Sequence, residues 1–224
     1  MGADTVSAQA RTSRATTPPA DRASRAAAGV EGNSRLTASN GTLLIGLLAV
    51  EGFTILSVRQ MITLHMYLGI LLVGPVLLKT ASTLYRFARY YRGAAAYRRK
   101  GPPHPILRVI GPLVILTTLA VLGTGIGLIF TGPDHREPLL TLHRGSFIVW
   151  VALMSIHVLG HLREAATASW RDLRPARDDP AAKHRAIRAG VLVITLIAGV
   201  GLATALMPSA ASWTHARVGF EHDR

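Results

Sequence analysis

A chain of 224 residues with 49% hydrophobic side chains and a formal charge of +13 would make one domain of ordinary size in water. Its apolar residues are not spread that way: they gather into five runs, 42–58, 61–78, 106–131, 139–160 and 189–207. Each is near the roughly 20 residues a helix needs to cross a hydrocarbon layer about 30 Å thick. A soluble protein of this size has no surface against which to bury such runs. The pattern therefore predicts an all-α membrane protein, five transmembrane helices forming a bundle behind a disordered N-terminal tail. The lack of cysteine excludes disulfides, Cys-ligated iron–sulfur clusters and thioether-linked haem, so any redox group must rest on histidine or another non-thiol ligand.

The basic charge reads as a topology signal. With the N-terminus in the cytoplasm, the internal segments hold 18 Lys and Arg and the external segments only Arg59, Arg136, Arg217 and Arg224. That asymmetry follows the positive-inside rule and argues against a nucleic-acid surface. A multi-pass protein of the cell membrane is expected, N-terminus cytoplasmic and C-terminus extracytoplasmic.

Residues 1–40 are rich in Ala, Ser, Thr and Arg and lack an apolar period, which predicts a disordered cytoplasmic tail. The transmembrane domain is expected over 41–208. The first run is followed by Ser57-Val58-Arg59-Gln60 rather than a small-residue cleavage site and reads as an uncleaved anchor. It contains Glu51, which is either a proton-handling or cofactor-side carboxylate or, as expected here, a group paired with Arg59 or Arg144.

The second run carries His65 near its outer end and Lys79 near its inner end, where a basic and aromatic stretch over 85–92 suits the headgroup layer. Lys79 is expected to snorkel to that flank. In the third run Gly123 and Gly127 share one helix face and would admit a flat cofactor or a second helix. The fourth run, LHRGSFIVWVALMSIHVLGHL over 142–162, carries His143, His157 and His161. Fourteen positions separate His143 from His157, just under four helical turns, so both project from nearly one face about 21 Å apart along the axis. The fifth run ends at Met207-Pro208, and 209–224 forms a short external tail; His104, His135, His184, His215 and His222 fall in loops or tails.

The second and fourth runs cross in the same direction, which puts His65 and His143 at similar depth. Two imidazoles facing one another, small residues beside them (Gly69, Gly145) and cations for propionates (Arg59, Arg144) are what a noncovalent haem b requires. His65 and His143 are the expected iron ligands at the outer side. His157 would hold one side of a second, inner haem, which stays open because Lys79 occupies the facing position.

Paired histidines fourteen positions apart on bundled helices resemble those of small membrane b-type cytochromes, including the diheme cytochrome b superfamily and the b-type subunits of bacterial hydrogenases and oxidoreductases. The likeness spans 43–162: His143 and His157 resemble one such pair, and His65 with Lys79 a second with one ligand replaced. It implies a membrane electron-transfer protein passing electrons between quinone and a partner redox protein, in the manner of the cytochrome b subunit of an oxidoreductase complex. The rival readings are a haem-free transporter or channel, against which no inverted repeat or paired broken helices are evident, and a membrane scaffold subunit.

Overall fold

The computed structural model of the protein describes residues 19–99, 105–174 and 184–213. The described chain is helical throughout: α1 (Pro19–Leu56), α2 (Val58–Leu71), α3 (Val73–Tyr91), α4 (Ala95–Arg99), α5 (Pro105–Thr131), α6 (Glu137–Leu173) and α7 (Arg185–Leu206), with a 3₁₀ turn over Met207–Ala210. Five spans are long and apolar enough to cross a membrane: Ala26–Leu56, Val58–Tyr91, Pro105–Thr131, Glu137–Arg163 and Arg185–Trp213. Their outward faces are apolar, with Leu56, Leu159 and Ile148 among the most exposed side chains. That inversion of the soluble pattern is what a lipid solvent allows.

Of the tail expected over 1–40, residues 1–18 lie outside the described residues. Residues 19–40 depart from the expectation: they are the first half of α1, opened by Pro19, which suits a first helical turn because its missing N–H costs no bond there. Asn40, Arg35, Thr37 and Ser34 are buried rather than solvated. α3 offers partners to Asn40 and Thr37: Asn40 Nδ2 donates to Pro75 O at 2.8 Å, Lys79 Nζ donates to Thr37 O at 2.7 Å, and Thr37 Oγ1 lies 3.0 Å from Ser82 Oγ, while Arg35 Nε donates to Glu31 Oε1 of its own helix at 3.1 Å. Sequence periodicity registers apolar faces, and this interface is polar. Of the external tail, 214–224 lies outside the described residues, as do His104, His215 and His222, while 209–213 continues the last helical segment. Trp213 Nε1 donates to Leu128 O at 3.0 Å, which fastens that end to α5.

α2 and α3 form one bent rod. Pro75 has no N–H to give Leu71 O, so one rung of the ladder is missing where the two meet. The released carbonyl faces α7: a Cβ on Gly199 would collide with Leu71 O, and a Cβ on Gly74 would collide with Thr195 O. Two glycines, one from each helix, thus let the backbones touch, the small-residue crossing common between membrane helices. Beside it Ile70, Leu71, Ile129, Ala203 and Ala210 form one buried cluster, and Leu44, Leu72 and Val76 form another.

α5 and α6 pack side by side, turning at Gly132, whose φ of 72° is the left-handed conformation glycine tolerates. α1 packs on α2, α3 and α6. The rod of α2 and α3 is absent from the helices in close backbone contact with α6. The two histidine-bearing spans are therefore held apart, with α1 and α5 joining them.

Gly199→Ala should destabilise the bundle by about 1–3 kcal/mol through overpacking. Gly201→Ala, where nothing lies within 4 Å of a built Cβ, should leave it unchanged. Thermal unfolding of the purified variants in one detergent checks both.

Candidate cofactor site

The gap between the second and fourth spans is a cavity of about 830 Å³. His65, His143 and His157 all line it, as do Arg59 and Arg144. The five residues singled out from the sequence thus border one space. At one end stand His65, His143 and the arginines; Lys79, His157 and His161 stand at the other, with Phe147, Trp150 and Met154 between.

His65 is fixed from α1. Its Nδ1 lies 2.8 Å from Glu51 Oε1 and 3.1 Å from Thr54 Oγ1. Thr54 Oγ1 in turn donates to Glu51 O at 2.6 Å, so the hydroxyl oxygen is turned toward the ring. Glu51 and Thr54 are both buried. A buried carboxylate needs a partner, and here the partner is the imidazole. The expected pairing of Glu51 with Arg59 or Arg144 is thereby corrected. The reason is the tight turn at Ser57, where Gln60 and Met61 N–H groups bond Ser57 O at 3.0 Å. That turn reverses the chain and lays His65 beside Glu51.

His143 is fixed from α5. Its Nδ1 is 3.1 Å from Val121 O and 3.0 Å from Thr124 Oγ1. A backbone carbonyl only accepts, so Nδ1 carries the proton. Thr124 gives its own proton to Ala120 O at 2.6 Å and is left to accept as well. The ring sits against Gly125, where a built Cβ would approach Cε1 to 3.2 Å. Gly125 is therefore the glycine that admits the ring. Of the expectation placed on Gly123 and Gly127, the close approach of a second helix is met at Gly127, where a built Cβ would run into the Leu139 side chain of α6, while nothing lies near Gly123. Of the other two, Gly69 lines the cavity, while Gly145 faces open space.

The two histidines thus share one arrangement. Each has Nδ1 engaged by an acceptor from a neighbouring helix, which assigns the proton to Nδ1 and leaves the Nε2 lone pair as the donor atom. Such an outer partner, carboxylate or carbonyl, accompanies metal-ligating imidazoles as a rule. Among the described residues no group of three or more His, Asp or Glu side chains is gathered to hold an ion.

The cations agree in place. Arg136, which the sequence reading had put only in the external loop, joins Arg59 and Arg144 along the cavity and pairs with Glu137 at 3.3 Å. The remaining expectations divide. Lys79 does not snorkel outward, since its ammonium is bound to Thr37 O inside the bundle. Trp170 is exposed, with the Arg174 guanidinium 4.4 Å from its ring. His135 and His184 are exposed.

Of the two groups that hold the rings, only Glu51 carried a faint sequence signal. Counted from Ser57, Glu51 and His65 lie six and eight residues away on antiparallel arms, hence at nearly equal depth. Thr124 had none, because its role depends on how α5 is rotated against α6.

Lys79→Met removes a charge-assisted bond and should lower stability by about 1.5–3 kcal/mol. Because that lysine lies at the far end from His65 and His143, thermal unfolding should shift while histidine resonances of those two rings stay in place in selectively labelled protein.

No protein-family profile matches this chain, nor does any curated protein or any solved structure.

Proposed function

We propose that the protein is a membrane electron-transfer protein that holds one noncovalent haem b between His65 and His143 and passes electrons between a quinone and a partner redox protein. The observation that carries this reading is the matched pair of imidazoles, each tied at Nδ1 and each bordering the same cavity from a different span. Support comes also from the packing: α1 and α5 lie against both histidine-bearing spans and border the cavity with them.

Haem b supplies a one-electron iron couple when bound. The chain's own residues do the rest. His65 and His143, each with Nδ1 engaged, would hold the iron through their Nε2 lone pairs. Arg59 and Arg144 offer guanidinium forks to carboxylates at the same end, suited to propionates. Phe147, Leu122, Ile129 and Gly125 line the walls and keep water out. With His65 and His143 both engaged on it, such a group would have no place left for a gas, so the site would suit electron transfer instead. The basic internal loops orient the His65–His143 end toward the extracytoplasmic side, where a soluble redox partner would dock.

The two ligands are unequal. Glu51 pulls the Nδ1 proton of His65 toward a carboxylate, which makes that imidazole the stronger electron donor; His143 leans on a neutral carbonyl. A more basic ligand favours the ferric state and lowers the midpoint potential.

Purified protein should show a Soret band and, when reduced, a sharp α band. His65→Ala and His143→Ala should each abolish them, while His135→Ala, altering an exposed loop residue, should not; full haem retention by both former variants would refute the assignment. Glu51→Gln should raise the midpoint potential in a redox titration and weaken haem retention about 10–100-fold. Thr117→Val, on a hydroxyl that bonds only its own helix, should do neither.

A further inference from the structure

The far end of the cavity presents its histidine differently. His157 Nδ1 is buried and has no hydrogen-bond partner, whereas the corresponding atoms of His65 and His143 are both engaged. A proton on that nitrogen would be a stranded donor, an arrangement native structures avoid. The proton therefore belongs on Nε2, the other ring nitrogen, and the group His157 offers to the cavity is an N–H donor rather than a lone pair. The two ends of one cavity thus carry opposite tautomers. One end is built to ligate, the other to donate a hydrogen bond.

The facing position points the same way. Lys79 lines this end, and its ammonium is committed to Thr37 O at 2.7 Å. An ammonium that donates to a carbonyl has no lone pair for a metal. His161, one turn beyond His157 with ring centroids 4.9 Å apart, lines the same end. Thr80 and Thr83 border it as well. What fits such an end is an acceptor oxygen.

A second observation concerns the path to lipid. A depression of about 360 Å³ on α6 is bordered by Trp150, Val151, Met154, Ser155, Val158 and Leu159. Four of these, Trp150, Val151, Met154 and Val158, also line the main cavity. Leu159 is 73% exposed on the apolar outer surface. The depression is thus a shallow, open and apolar neighbour of the cavity on the outward face of α6. Trp150 stands between the two, its indole N–H donating to Thr118 Oγ1 at 2.8 Å, and Phe147 stacks beside it with an interplanar angle of 24°. A flat, apolar ring with a carbonyl at its edge and a hydrocarbon tail meets each feature in turn.

We infer that the Lys79–His157 end of the cavity binds the head of a lipid-soluble quinone, its carbonyl oxygen accepting the His157 Nε2–H and its tail leaving along the groove beside Trp150 and Leu159. This rests on the electron-transfer reading for its purpose, and it assigns the inner end to a quinone in place of a second iron.

The test uses the full chain purified in detergent, with decylubiquinone as probe and calorimetric titration as the primary readout. Wild-type protein should bind the quinone, His157→Phe should weaken binding about tenfold, the loss of one buried hydrogen bond, and His157→Gln, which keeps an N–H donor, should stay within about threefold. The haem-to-protein ratio of His157→Phe should equal that of the wild type. Unchanged quinone affinity in His157→Phe, or loss of haem from it, would overturn the assignment, as would equally tight binding of laurate, which would mark a fatty-acid site. If His157→Phe unfolds the bundle, Val158→Trp, which fills the wall shared by groove and cavity, must weaken quinone binding, and full affinity there overturns the proposal too. Protein that proves haem-free yet binds quinone through His157 would remove the cytochrome reading and leave this one standing.

Discussion

Two hydrogen bonds from imidazole Nδ1 atoms, one to Glu51 and one to Val121, govern what the rest of the bundle can do. Each bond fixes a ring and chooses its tautomer, and each crosses from one helix to another. α1 must therefore lie against α2, and α5 against α6, for the rings to be held at all. The scaffold then has a reason for its plan. The helices that orient the histidines are in close contact with the helices that bear them, and the two bearing helices stand apart.

The same logic explains why polar groups are tolerated inside a bundle whose outside is apolar. Glu51, Thr54 and Thr124 are buried where lipid would punish them, and every one has a partner within the protein. At the other end a second polar seam, Thr37, Asn40, Lys79 and Ser82, joins the first half of α1 to α3. It closes the cavity there without a charged side chain being left in hydrocarbon. Between the seams the Gly74–Gly199 crossing presses the bend at Pro75 against α7, which directs the rod of α2 and α3 along one wall of the cavity.

Within that frame the cavity is chemically graded. Guanidinium groups gather beside His65 and His143, aromatic and apolar walls occupy the middle, and a lysine with two histidines closes the far end. The grading follows from helix period alone on α6, where His143, Trp150 and His157 are seven residues apart and share one face. It extends to the other wall because the rod of α2 and α3 supplies His65 at one level and Lys79, fourteen residues on, at the other.

Length, hydropathy and the fourteen-residue spacing were enough to foresee five spans and to single out His65, His143, Arg59 and Arg144 at one depth and His157 at another, because those features depend on period and depth, which a linear chain records; that all five line one cavity came only with the packing. The extent of α1 was hidden, since its first half is buried through polar contacts that hydropathy counts as solvated. Glu51 was visible as a buried carboxylate but its partner was not, because pairing depends on which way a helix is rotated about its axis. Only the tertiary structure decided that, along with the choice of Gly125 over Gly123 and Gly127 and the engagement of Lys79 by a backbone carbonyl. A sequence records how far along a helix each side chain lies; which neighbour it meets is set by the packing of one helix against the next.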